Sequence, residues 1–239
     1  MIKLSDRLKL IADQIEKNQT MADIGTDHGF LPIYLWEREI CPKVILTDIS
    51  KGSLEKARIN CMEQYPDMNF DLRLGDGIKN IKTGEVDVLV IAGMGGTLMT
   101  EILGFDMEKT RSFKKIILQP RNSQGSLRHW LITNGLPITK ESLVREGKYI
   151  CEIITAIPHG QGISHEIEGC NEADMEYETP TWILSTGDLA HEFIENKLRI
   201  EENIQKNLLK GKRPNDEKTK FTEKRIQYLK TLLRGEKCL

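Results

Sequence analysis

The chain has 239 residues, 39% hydrophobic and 29% charged, with a net charge of −2. That length suits one large domain with an appendage, and the near-neutral charge means that a polyanionic partner has to be met by a local basic patch. No apolar run approaches the roughly 20 residues of a membrane span, the charged start lacks a signal-type apolar core, and the five cysteines, without a C-x-x-C pair, offer no metal site and suit a reducing compartment.

Leu4, Leu8, Ile11 and Ile15 recur at helical steps and predict an amphipathic helix capped by Ser5 or Asp6. Residues 20–24 predict a short strand that Gly25 ends. Gly29 opens a helix over 30–36, with Pro32 in its first turn, where a missing N–H does no harm. Strand, glycine-bearing turn and helix is the layout that lets a backbone approach a ligand closely. The turn is not a dinucleotide fingerprint, because Asp27 stands where the second glycine belongs and would repel a diphosphate. A ligand carrying positive charge fits better, and S-adenosylmethionine, with its ammonium and sulfonium, has that pattern.

Residues 43–47 predict a second strand ending at Asp48. An acidic residue about 20 positions after such a turn holds a ribose diol in α/β nucleotide folds; the alternative for Asp48 is a helix cap. A helix follows near Ser50, with Leu54, Ala57 and Cys61 as its apolar stripe. Further strands are predicted over 69–74, 87–92 and 115–119, with Pro120 interrupting the last. Helices follow over 97–103 and around Leu127, Trp130 and Leu131. Residues 137–144 and 149–157 are both strand-like, and the four residues between them leave no room for a crossover helix, so they pair as a hairpin. The fold class is therefore α/β: a mostly parallel sheet finished by an antiparallel hairpin, as in class I methyltransferases, whereas a nicotinamide-binding domain would continue in parallel.

Residues 158–180 hold six acidic residues and no Lys or Arg, and read as a linker or loop. Two long helices follow, over about 188–209 and 217–234, broken at 211–215 around Pro214. Residues 206–237 carry eleven Lys or Arg against four Asp or Glu. That surplus reads either as a solvated face or as a phosphate-binding patch. The expected organisation is a domain over 1–158, an acidic linker over 159–185 and a basic, coiled-coil-like helical hairpin over 186–239.

Taken in order, Asp23-Ile24-Gly25-Thr26-Asp27-His28-Gly29-Phe30, Asp48-Ile49-Ser50, Leu74-Gly75-Asp76-Gly77, Ala92-Gly93-Met94-Gly95-Gly96 and Leu118-Gln119-Pro120 resemble the bacterial tRNA (adenine-22) N1-methyltransferase family. The resemblance runs from the first helix through the hairpin near Ile157; the tail matches in character only. It implies a cytoplasmic, monomeric enzyme without a metal or a membrane partner, using S-adenosylmethionine to methylate N1 of a tRNA adenine. It places Asp23, Gly25, Asp27, His28, Gly29, Asp48, Ile49, Asp76, Gly77 and Gly93 around the donor. Within that set Gly25 and Gly29 would admit it, Asp27 would face its positive charge, Asp48 would take the ribose hydroxyls, and Asp76 the adenine amino group. Asp27, Phe30 and Met94 would stand at the point of transfer. Lys210, Lys212, Arg213, Lys218, Lys220, Lys224 and Arg225 would meet tRNA phosphates. His28 also reads as a helix-start residue and Phe30, where the family often has Tyr, as a core residue. The alternatives are a small-molecule methyltransferase, against which the basic tail argues, and a tRNA-binding protein without activity, against which the cofactor motifs argue.

Overall fold

The computed structural model describes residues 1–163, 175–210 and 216–235. A seven-stranded sheet runs in the order β3-β2-β1-β4-β5-β7-β6. Its strands are β1 (Met21–Ile24), β2 (Val44–Asp48), β3 (Asp71–Leu74), β4 (Val88–Met94), β5 (Lys115–Pro120), β6 (Ile138–Glu146) and β7 (Tyr149–Ala156). The first five are parallel; β7 runs antiparallel to both β5 and β6. The expected α/β sheet with a terminal hairpin is therefore present.

Helices cover both faces, which is why β1, β2 and the start of β4 are buried along their length, with Val44–Leu46 and Val88–Ile91 as apolar runs. Met21, Val88 and Val90 point to one side, toward α1 (Asp6–Ala12), α2 (Phe30–Glu37) and α3 (Lys51–Gln64). Ala22, Ile24, Leu89 and Ile91 point to the other, toward α4 (Gly96–Gly104) and α6 (Gln124–Thr133). Ser5 caps α1 by accepting from the Leu8 amide. Ser50, rather than Asp48, caps α3, accepting from the Ser53 amide at 3.2 Å, so the cap reading of Asp48 does not hold.

Three local expectations differ from the fold. Pro120 ends β5 rather than interrupting it: β7 pairs only as far as Leu118, so the missing N–H of Pro120 costs no antiparallel bond. A short helix, α5 (Met107–Ser112), lies between α4 and β5, capped by Asp106. The described end of the acidic segment is helical: α7 (Met175–Glu178) and a 3-10 helix (Thr181–Thr186) pack on the domain, with Tyr177 and Ile183 buried.

Arg128 of α6 is fully buried and holds this corner together. Its guanidinium pairs with Glu141 at 2.7 Å and with Glu152, and donates to the Tyr177 carbonyl at 2.9 Å. One side chain thus ties α6, both strands of the hairpin and α7. The tail forms α8 (Leu189–Lys210) and α9 (Asp216–Leu233). Phe193 and Ile194 of α8 and Tyr228, Leu229 and Leu232 of α9 close over Leu143 of β6 and Ile183. The helical hairpin is therefore packed onto the antiparallel edge of the sheet. The expected breaker at 211–215, with Lys212 and Arg213, lies outside the described residues.

Candidate active site

The turn from β1 into α2 carries three residues with positive φ: Gly25 (74°), Asp27 (47°) and Gly29 (71°). Glycine adopts this region freely and Asp tolerates it. The neighbouring strand fixes the turn. Gly25 and Thr26 amides donate to the Thr47 carbonyl at 2.8 and 3.0 Å. The Asp27 amide donates to Asp48 Oδ2 at 3.3 Å, and Asp48 Oδ1 accepts from the Ser50 amide at 2.8 Å. Asp48 thereby holds the turn while standing at the carboxyl end of β2, where ligands of parallel sheets bind.

A cavity of about 540 Å³ opens over these strand ends, a volume suited to a cofactor. Asp23, Gly25, Asp27, His28, Asp48, Ile49, Asp76, Gly77 and Gly93 line it, as do Phe30 and Met94. Gly29 does not. A Cβ there would come within 2.8 Å of Leu46 and 3.2 Å of the Ala57 Cβ, so this glycine serves the close packing of α2 on β2 and α3 instead of an approach to ligand. Gly93 has φ 78° and open space where its Cβ would lie, which suits a ligand pressed against bare backbone.

Four carboxylates and one guanidinium line the cavity. Asp23 is buried, and its carboxyl is pushed up to about 6, chiefly by desolvation and further by the charge of Asp48, against a hydrogen bond from Thr26 and the charge of Arg7. Asp27 is half-exposed and already paired, to Lys56 at 3.1 Å and to His28 at 3.5 Å. Asp76 pairs with Lys79 at 2.5 Å. Phe30 is 37% exposed and stacks on His28 with ring centroids 5.2 Å apart, so it belongs to the cavity wall rather than the core.

Nothing in the sequence pointed to a role for Arg7, and Thr26 and Gln119 stood there only as members of motifs, with no role of their own. Arg7 Nη1 donates to Gln119 Oε1 at 3.0 Å, and that oxygen also accepts from the Gly93 amide at 3.1 Å. Arg7 Nε holds Glu146 at 3.0 Å. Helix α1 thus supplies one wall of the site. Of the tail cations, Lys210, Lys220 and Lys224 are exposed, and Lys218 is exposed with a partner of its own. Arg225 is engaged, 3.0 Å from Glu201 and over the Phe221 ring. Among the described residues there is no cluster of metal-ligating side chains and no helix long and apolar enough to cross a membrane.

Residues 4–154 match the model of the methyltransferase domain family. The Bacillus subtilis tRNA (adenine(22)-N(1))-methyltransferase is 33% identical over 155 residues, a match spanning 65% of this chain and 65% of that protein. The crystal structure of the B. subtilis m1A22 tRNA methyltransferase TrmK superposes with a TM-score of 0.84 at 26% identity, covering 98% of this chain and 100% of that one. Streptococcus pneumoniae Sp1610 in complex with S-adenosyl-L-methionine, described as a putative tRNA (m1A22) methyltransferase, has a TM-score of 0.82 at 24% identity over 97% and 100% of the two chains, a likeness of fold.

Proposed function

The chain belongs to the methyltransferase domain family, and we propose that it transfers a methyl group from S-adenosylmethionine to N1 of adenine 22 in tRNA. The observation that carries this reading is the gathering of Asp23, Asp27, Asp48 and Asp76 around one glycine-edged cavity in a chain so related. Such a lining suits a ligand with two positive groups and a ribose. On this reading Asp48 takes the ribose hydroxyls, Asp76 and Gly77 the adenine ring, and Asp23 and Asp27 the positive charge. When bound, S-adenosylmethionine supplies an electrophilic methyl on a cationic sulfur.

The remaining work falls to alignment and field. Adenine N1 carries a free lone pair in the neutral base, so no residue has to remove a proton first. The product base is cationic, and the surrounding carboxylates favour it. Met94 and Phe30 wall the point of transfer, and Asp27 stands beside it. The adenine has to leave its stack to reach them. Residues 1–158 bind the donor, 186–239 hold tRNA and 159–185 connect them. On this reading the enzyme works as a monomer in the cytoplasm.

A small-molecule acceptor leaves the basic tail without a role. The test is incubation with labelled S-adenosylmethionine and bulk tRNA, followed by nucleoside analysis. Label in 1-methyladenosine supports the reading; label in another nucleoside, or none, rejects it.

A further inference from the structure

Two further cavities, each about 510 Å³, continue from the donor cavity. The nearer one shares Arg7 and Gly93 with it. The farther one shares Tyr149, Ile150 and Glu152 with the nearer and is bounded beyond by α8. Together they form one trough from the cofactor site to the junction of sheet and tail. Its carboxylates are paired within the protein: Glu146 with Arg7, Glu152 with Arg128, which Glu141 shares, Glu178 with Lys197 at 3.2 Å, and Glu201 with Arg225. Arg121, Lys148 and Arg199 also line it, and none has a carboxylate partner among the described residues. The trough is therefore cationic in effect. At its middle stands Tyr149, 64% exposed, with Lys148 Nζ 5.2 Å from its ring centroid.

We propose that this trough holds the RNA strand adjoining the target adenine, with one base stacked on Tyr149 and phosphates on Arg121 and Lys148. The inference rests on the tRNA reading above. A strand whose adenine enters the donor cavity has to leave it, and this trough, more than twice the volume of the cavity that adjoins the donor site at Asp76 and Ile102, is continuous with it. Unpaired cations beside an exposed ring are what a single strand needs, since phosphates take the charge and any base takes the ring. Lys148 over one edge of the hairpin orients the ring by a cation–π contact.

The test uses the full chain with Tyr149→Ala, Tyr149→Phe and Arg121→Gln. Unmodified tRNA is titrated by fluorescence anisotropy at several salt concentrations, and donor affinity is measured alongside. Tyr149→Ala is expected to weaken tRNA binding about tenfold, and Tyr149→Phe to bind like the parent. Arg121→Gln is expected to lower the slope of log affinity against log salt by about 0.7. Parental affinity in Tyr149→Ala, or equal weakness in Tyr149→Phe, overturns the proposal. So does sedimentation showing that the parent dimerises and Tyr149→Ala does not, because the ring would then meet a second copy. If the parent methylates tRNA and Tyr149→Ala binds normally, the trough alone fails; if the parent does not methylate tRNA, the substrate reading fails and the trough with it.

Discussion

Thr26 Oγ1 donates to Asp23 Oδ2 at 2.8 Å inside a site where Asp23 is 7% exposed. The bond does not fully offset burial, and the carboxyl sits at about 6, above its ordinary 3.8. Because the folded value lies above the unfolded one, the stability that Asp23 contributes is complete below its ordinary value and is lost as pH rises through about 6. A cationic donor favours the ionised form. Donor affinity is therefore expected to rise with pH through about 6, with proton release on binding in that range. Calorimetric titration in buffers of different ionisation enthalpy measures both. Asp23→Asn should flatten the profile; a flat profile in the parent protein would remove Asp23 from the donor's charge.

Asp48 both anchors the turn and faces the cavity, so its loss acts twice. Asp48→Ala is expected to weaken donor binding by about 1.5–3 kcal/mol, the worth of hydrogen bonds to a charged acceptor. Equilibrium binding of S-adenosylmethionine checks it, and unchanged affinity would assign Asp48 to the turn alone.

Asp27 shares its charge between Lys56 and the cavity. If it serves the donor's positive charge, removing Asp27 and removing its partner Lys56 give opposite signs. Asp27→Asn should weaken donor binding and Lys56→Met should strengthen it, while the double variant should behave like Asp27→Asn. A double-mutant cycle on donor affinity decides this. Weakening in both single variants would mean that the ion pair matters only for the shape of the turn.

Arg128 pairs with both Glu141 and Glu152 without contact with solvent. Arg128→Met leaves two buried carboxylates and the Tyr177 carbonyl unanswered. Breaking such a network costs about 3–5 kcal/mol, enough to lower Tm by roughly 10 °C in a chain of this size. Thermal unfolding by circular dichroism measures it, and a shift below a few degrees would show that water or repacking replaces the arginine.

Much of the cavity lining was legible because its turn is made of glycines and carboxylates that neither a helix nor a strand would choose. The strands were legible because burial on both faces demands mostly apolar residues. Arg7 was not: within an amphipathic helix its position looks like any solvated one, and only the packing of α1 beside Gln119 reveals it. Gly29 misled because a glycine needed for helix packing and one needed for a ligand share the same φ. Charge counting likewise cannot see that α8 supplies Glu201 as the partner of Arg225. The segment around Met175–Glu178 is too short for a helical period, and its helix depends on Arg128, far away in sequence. Removing the tail whole is a poor test of its charge, because Leu143 and Ile183 would lose their apolar cover.

An adenine at a single tRNA position is the acceptor on this reading. Two transcripts of a single tRNA, one with adenine and one with guanine at position 22, are each incubated with the protein and labelled S-adenosylmethionine. The expected result is 1-methyladenosine in the first and no incorporation in the second. Equal label in both, or none in either, would contradict it.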